Sequence, residues 1–470
     1  MKLREINSEI RRETRAEINT SLQISRDSYR DAPSQINIVE NTHRQNNLLF
    51  IYCRNDVCQE TEANEWDNVD PLGEEGEVNG IKLPKGTKVR IFGEQTFHAV
   101  LGGPCEINGI QLLEGTELHF YNKNKLLSAT PTSDQKIFKT VLPKNTKVEF
   151  QGNKAFYVEL PVDWEINGIF FSKGTELWFD DDGDLAKVIP SGEVKIGEII
   201  FKKGAELYFD KNGLLARAVL STKQDVAGIG FERGAEVVFE DSKLARAMLA
   251  EDQFVQGVKC AALTEVWFSK SGKLTFATLA EDQDIEYRKG EKLRAAKGTE
   301  IYFDEDGGVQ ALTLSSPKKI DEIEFAAGSK LCFRKDGSLS YAIPSANVRV
   351  GKLVFAAGAE LSFLRNAKVS EGVLALKGDI GKFEFTAGTK VWFYSNGRIM
   401  GSILAVEQKV QRILFAAETV INYDGNEKIE RVYLASAQTI QGIKFPAKST
   451  LWFSWLGKLE KANPGPESEL

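Results

Sequence analysis

The chain has 470 residues, 42% of them apolar and 27% charged, with a net charge of -7 and an isoelectric point near 5.5. The acidic balance excludes the electrostatic footprint of a nucleic-acid binder or of a protein held on an anionic membrane surface. Both signs are interspersed along the chain, so no acidic or basic tail stands out.

Residues 1–47 are polar and form an N-terminal arm. Ile6, Ile10, Ile18 and Leu22 fall at multiples of four, which predicts a weakly amphipathic helix over 3–24 or a disordered arm. The first residues have no apolar core, so they do not form a secretory signal, and a cytoplasmic location is the default expectation. Residues 48–76 open the folded body. Leu48 to Arg54 reads as a strand, and Cys58 to Gly76 reads as an acidic loop. The apolar run Leu48 to Cys53 is six residues long, far short of a membrane span. The five cysteines, Cys53, Cys58, Cys105, Cys260 and Cys332, are odd in number and scattered, unlike a disulfide framework. Cys53 and Cys58, with four residues between them and no matching Cys/His pair, and the three histidines, His43, His98 and His119, point to no metal site.

A repeat fills residues 77–462. Its marker is the last aromatic of a short β segment: Phe120, Phe150, Phe179, Phe209, Phe239, Phe268, Phe303, Phe333, Phe363, Phe393, Tyr423 and Phe453, with Ile91 in the first copy. That makes thirteen units of about 30 residues, with steps of 29 or 30 except one of 35 between Phe268 and Phe303. The longer step holds an insertion around Tyr287 to Glu291, before the second segment of its unit. Residues 463–470 form a C-terminal tail with two prolines, Pro464 and Pro466, that stop strand pairing.

Glu165 to Val194 shows the unit: INGIFF, then TELWF, then DLAKVI, separated by the turns SKG and DDDG. Alternation puts Leu177 and Phe179 on one face and Glu176 and Trp178 on the other. Leu and Phe types hold the first face in nearly every copy, so it is the expected core, joined by Ile166, Ile169, Phe171, Leu185, Val188 and Ile189. A Gly within the first segment (Gly80, Gly109, Gly168, Gly228) suggests a bulge or bend. Burying about six large side chains supplies on the order of 10–15 kcal/mol per unit. Ordering the backbone costs roughly 1–2 kcal/mol per residue over the same unit. A unit cannot fold alone, so stability must come from stacking.

Turns such as Asp210 to Gly213 are strong hairpin signals. The segment ELYFDKNGLLARA resembles the YD-type hairpin of Rhs-like repeat proteins and, more faintly, MORN repeats. The likeness covers half a unit and brings no function with it. Against a pure hairpin chain stands a geometric point: three hairpin-joined strands per unit would alternate the direction of successive units. Either each unit is one three-sided coil of a β-solenoid with like strands parallel, or the strand count per unit is even. The near-constant unit length favours the coil. The expectation is therefore an elongated all-β tandem-repeat β-solenoid of about thirteen units, with an antiparallel β-hairpin repeat sheet or spiral as the alternative.

The column before the marker faces away from the core and is rich in aromatics: Trp178, Tyr208, Trp267, Tyr302, Trp392 and Trp452. Such a strip offers contact area at little entropic cost, and it is the candidate binding surface for a protein or glycan. The next column is acidic, with Glu117, Glu176, Glu206, Glu236, Glu265, Glu300 and Glu360, and reads as a solvated strand face that resists aggregation. Asp180 to Gly183 and Asp304 to Gly307 lack the glycine and glutamate spacing of a calcium loop and read as turn chemistry. No phosphate loop, nucleophile elbow or zinc motif is present. The expectation is a non-enzymatic repeat scaffold or recognition protein, bacterial in style, with no cofactor. The alternative is a carbohydrate-active β-solenoid enzyme working through carboxylates on one face.

Overall fold

The computed structural model describes Trp66 and residues 69–92, 96–121, 124–137, 139–151 and 154–465. The helix expected over 3–24, the strand at 48–54, Cys53 and Cys58 lie outside the described residues. Within them there is no helix, and hence none long and apolar enough to cross a membrane.

The described strands number 52, in thirteen sets of four. Unit 4 shows the plan. Short strands Trp164–Ile166 and Ile169–Phe171 pair as a hairpin around Asn167 and Gly168, whose φ values are 52° and 77°. Two consecutive positive φ values make the two-residue turn that Asn-Gly favours. The first segment is therefore a complete hairpin, and its glycine is a turn residue rather than a bulge. Long strands Glu176–Phe179 and Leu185–Ile189 follow as a second hairpin.

The long strands of all units pair side by side into one sheet of 26, each with the next in sequence and every pairing antiparallel. The solenoid of parallel coils is corrected to the alternative, a sheet of repeated antiparallel hairpins. Four strands per unit is an even count, so each unit leaves the sheet in the direction in which it entered. That is how one operator places thirteen copies in equivalent environments without parallel pairing. No pairing among the described residues joins the first long strand, Lys88–Phe92, to the last, Leu459–Asn463, so the sheet is open.

The short hairpins form a second layer over one face of the sheet. The core lies between the layers. Phe171, Phe201, Phe231, Phe325, Phe355, Phe385 and Phe415 point into it from the short hairpins, all at most 1% exposed. From the sheet come Leu177 and Val188, both fully buried, and Phe179. The third segment carries two buried residues three apart, Leu185 and Val188, because a bulge opposite Phe179 resets its alternation: Trp178 pairs with Lys187, but Phe179 pairs with Leu185, and Ile189, expected in the core, lies opposite Glu176 on the other face.

Stacking is built from rings. Phe201 meets the next unit's Phe239 edge-on at 6.4 Å, as Phe231 meets Phe268 and Phe325 meets Phe363. Unit 8 breaks this pattern and repairs it. Its short hairpin ends in Ala295 where units 4 to 6 and 9 to 13 carry Phe. Its strands are longer, Gln283–Arg288 and Glu291–Ala295, and Tyr287 from the extension lies 5.0 Å from Phe333 of unit 9. The insertion thus lengthens the short hairpin instead of bulging out as a loop, and it returns the missing ring. Arg288 fixes the overhang by a paired hydrogen bond to the Asp321 carboxylate, 3.0 Å on each arm, and by donating from Nε to the Gly337 carbonyl at 2.9 Å.

Among the described residues neighbouring short hairpins share no backbone ladder; glutamine side chains connect several of them. Gln253 Nε2 donates to Gly230 O at 2.9 Å, and its Oε1 accepts from Glu232 N at 3.2 Å. Gln135, Gln224, Gln283 and Gln408 make the same two-bond link to the preceding unit. Each thereby satisfies backbone groups that a lone two-stranded hairpin leaves open.

Candidate surface on the open sheet face

The second face of the 26-stranded sheet carries no short hairpins. Strand alternation sends Glu176 and Trp178 there, and pairing register decides what stands beside them. Trp178 lies opposite Tyr157 on one side and Lys187 on the other. Lys187 lies opposite Tyr208, Tyr208 opposite Arg217, Arg217 opposite Val238, and Val238 opposite Arg246. Arg246 is followed by Trp267, Phe276 and Tyr302. The column expected from the sequence is therefore half of a row that runs straight across the strands.

Trp178, Tyr208, Trp267, Tyr302, Trp392 and Trp452 all lie on this face and in this row. They are not equally available. Trp267 is 42% exposed, while the other five are half-buried. The reason is lateral packing by residues of the third segment. The Lys187 ammonium sits 5.1 Å from the Trp178 ring and 5.3 Å from the Tyr208 ring. Arg217 lies 3.8 Å over Tyr208, and Lys461 lies 5.1 Å from Trp452. Tyr157 and Trp178 are 5.2 Å apart, and Phe276 bridges Trp267 and Tyr302 at 4.9 and 5.2 Å. Trp392 stands in the space of a missing side chain: a Cβ on Gly401 would lie inside its indole.

Tyr157, Lys187, Arg217, Phe276 and Lys461 escaped sequence reasoning because the bulge shifts their alternation by one residue. The signal was available in the spacing Leu185-x-x-Val188, which only a bulge allows on one face of a strand.

The acidic column flanks the row and is tied into it. Lys187 pairs with Glu206 at 2.9 Å, Arg217 with Glu236 at 3.2 Å and Arg246 with Glu265 at 3.6 Å. Glu206 also accepts from the Tyr208 hydroxyl, and Glu265 from Trp267 Nε1 at 2.9 Å. The Tyr208 hydrogen bond first, and Lys187 second, hold the Glu206 carboxyl below its usual range. Burial, reinforced by Glu176, Glu159 and Glu149, pushes Tyr157 up to about 12. From Lys187 to Trp267 the stripe is thus a charge-balanced lattice of carboxylate, ring and cation. At the N-terminal end the row continues as His98 and His119, whose imidazoles stack at 3.8 Å, with Glu117 3.1 Å from His119 Nε2.

The Asp-rich turns spend their carboxylates on backbone. Asp180 Oδ1 accepts from the amides of Asp182 and Asp184, both at 2.9 Å, and Asp304 does the same for Asp306 and Gly308. Cys105, Cys260 and Cys332 are free thiols, the last two buried. No protein-family model matches the chain, and no curated protein matches its sequence.

Proposed function

We propose that this protein is a non-enzymatic tandem-repeat scaffold or recognition protein that takes an elongated protein or glycan along the open sheet face. The observation that supports this reading is the single row holding Trp178, Tyr208, Trp267, Tyr302, Trp392 and Trp452 across successive units. Two strands per unit at about 4.8 Å each space equivalent positions by about 10 Å. A partner with its own repeat can therefore engage several units at once, and weak contacts sum through effective concentration. Lys187, Arg217 and Arg246 of the row are balanced by Glu206, Glu236 and Glu265, which suits a neutral or mixed-charge partner better than a polyanion. Alanine at Trp178, Trp267 and Trp392 together is expected to abolish capture of a partner by pull-down or glycan array. Retained binding by this triple variant overturns the reading.

A carbohydrate-active enzyme is the second reading, and one observation favours it. Glu159 and Glu176 are directly opposed on adjacent strands, beside Tyr157 and Trp178. A directly opposed pair of carboxylate side chains next to aromatic rings supplies the residue types of glycoside hydrolysis. Polysaccharide cleavage that disappears in Glu159→Gln and in Glu176→Gln would establish it; no cleavage by the wild-type chain rules it out.

A further inference from the structure

The free edge of the two-layer array is lined by the tips of the short hairpins and the turns of the long ones. In three units a glutamine at the tip closes the gap between them. Gln256 Nε2 donates to Gly272 O at 2.6 Å, and its Oε1 accepts from Leu274 N at 3.0 Å. Gln411 and Gln441 repeat both bonds to Glu427 and Ile429, and to Gly457 and Leu459. These residues sit at φ near 48°, a strained place for a long side chain, and the two hydrogen bonds offset the strain.

Unit 6 differs from unit 7 in two ways. Its tip residue is Ala227, at φ 52° and with no side chain to reach the turn. Its long strands, Glu236–Glu240 and Lys243–Met248, are joined by only Asp241 and Ser242, so this arm is one residue shorter than in units 5 and 7. The neighbouring tip, in unit 5, is Gly197. The three changes coincide at a recess of about 650 Å³ that spans the edge of units 4 to 7. Its floor is apolar, formed by Ile199, Ile229, Leu215, Phe239 and Leu244. On the turn side its rim is cationic: Lys243 and Lys270 both line it, with Lys243 Nζ held 3.3 Å from Lys270 O. Asp241 shares that turn but does not line the recess, and Glu198 and Asn167 lie on the tip side.

We propose that this recess binds a small amphiphile: an apolar chain over the Ile/Leu/Phe floor, with an anionic head group at Lys243 and Lys270. The volume suits a ligand of that size, and a mostly apolar lining with a few convergent polar groups is the usual composition of such sites. Exposed lysines attract an anion modestly, so the floor supplies most of the affinity and the rim supplies the preference for charge. The site is separate from the aromatic row, which lies on the opposite face of the sheet.

The test uses the full chain and laurate, with dodecanol as the neutral comparator, by titration calorimetry. Saturable binding of one laurate per chain is expected, with dodecanol weaker. Ala227→Gln, and separately insertion of a glycine after Ser242, give unit 6 the tip or the turn length of unit 7. Each is expected to weaken laurate by about tenfold or more, roughly 1.4 kcal/mol. Joint Lys243→Ala and Lys270→Ala is expected to weaken laurate several-fold and leave dodecanol unchanged. Absent or non-saturable laurate binding overturns the proposal, as does laurate binding that survives both unit 6 variants. Equal binding of laurate and dodecanol, insensitive to the lysine changes, overturns the assignment of an anionic head.

Discussion

The two faces of the long sheet are written in alternate residues of the same strands, yet they obey different rules. On the covered face the same type returns at each step: Leu177, Leu207 and Val237 are all fully buried. On the open face Trp178, Tyr208 and Val238 are followed by Cys332, Ser362 and Asn422 in equivalent places. The covered face has a partner of fixed shape, the short-hairpin layer, and close packing tolerates little change in volume. The open face has only its lateral neighbours, so rings, cations and carboxylates can be exchanged as long as each row stays balanced. Uniformity marks architecture, and variation marks the surface available for recognition.

Truncation should separate the faces most sharply. Phe231→Ala, in the core beside Phe268, is expected to cost about 3–5 kcal/mol in urea unfolding. Trp178→Ala on the open face is expected to cost less than about 1.5 kcal/mol, because its ring is half-exposed and its neighbours can relax. Comparable losses at the two sites would break the distinction.

Polar links on the covered side should matter nearly as much as apolar ones. Gln253→Leu leaves a backbone amide and a carbonyl of unit 6 without their partner, and a loss of about 1–3 kcal/mol is expected. Hydrogen exchange should show the loss in units 6 and 7 first. Protection that stays unchanged there would mean that the glutamine link is incidental.

Alkaline titration probes both sides at once. Burial is the main cause that pushes Tyr157 on the open face and Tyr287 in the unit 8 overhang up to about 12. A raised tyrosine stabilises the fold below its unfolded value near 10 and loses that contribution as pH rises toward 12. Stability should therefore fall between about pH 10 and 12, with tyrosinate absorbance delayed relative to the unfolded chain. Tyr287→Phe, which keeps the ring over Phe333, should remove part of that delay.

The smallest effect should have the opposite sign. Glu159 and Glu176 are like charges directly across a strand pair, so Glu159→Gln is expected to gain about 0.2–1 kcal/mol in thermal unfolding at neutral pH. The gain should shrink at high salt; a loss would show that the pair is held by a ligand or cation.

The sequence alone determined the repeat, its thirteen units, its inward face from Leu177 and Phe179, and the common side of Trp178, Tyr208, Trp267, Tyr302, Trp392 and Trp452. Alternation carries this information because side chains on a strand have a period of two whatever the strand pairs with. Strand direction was not legible in the same way. Asn167-Gly168 inside the first segment signalled a hairpin, but its flanking strands have only three residues each, too short to show an alternation of their own. Once that hairpin is counted, four strands per unit make an antiparallel sheet and a parallel coil is no longer needed. The spacing Leu185-x-x-Val188 signals the bulge opposite Phe179, but only the tertiary structure decided what stands beside each aromatic, because the inter-strand register brings Lys187 between Trp178 and Tyr208. It alone decided why unit 8 is longer and where unit 6 is open. Both depend on a ring or a side chain missing from one unit and on what its neighbour supplies in space, which no periodicity within a single unit records.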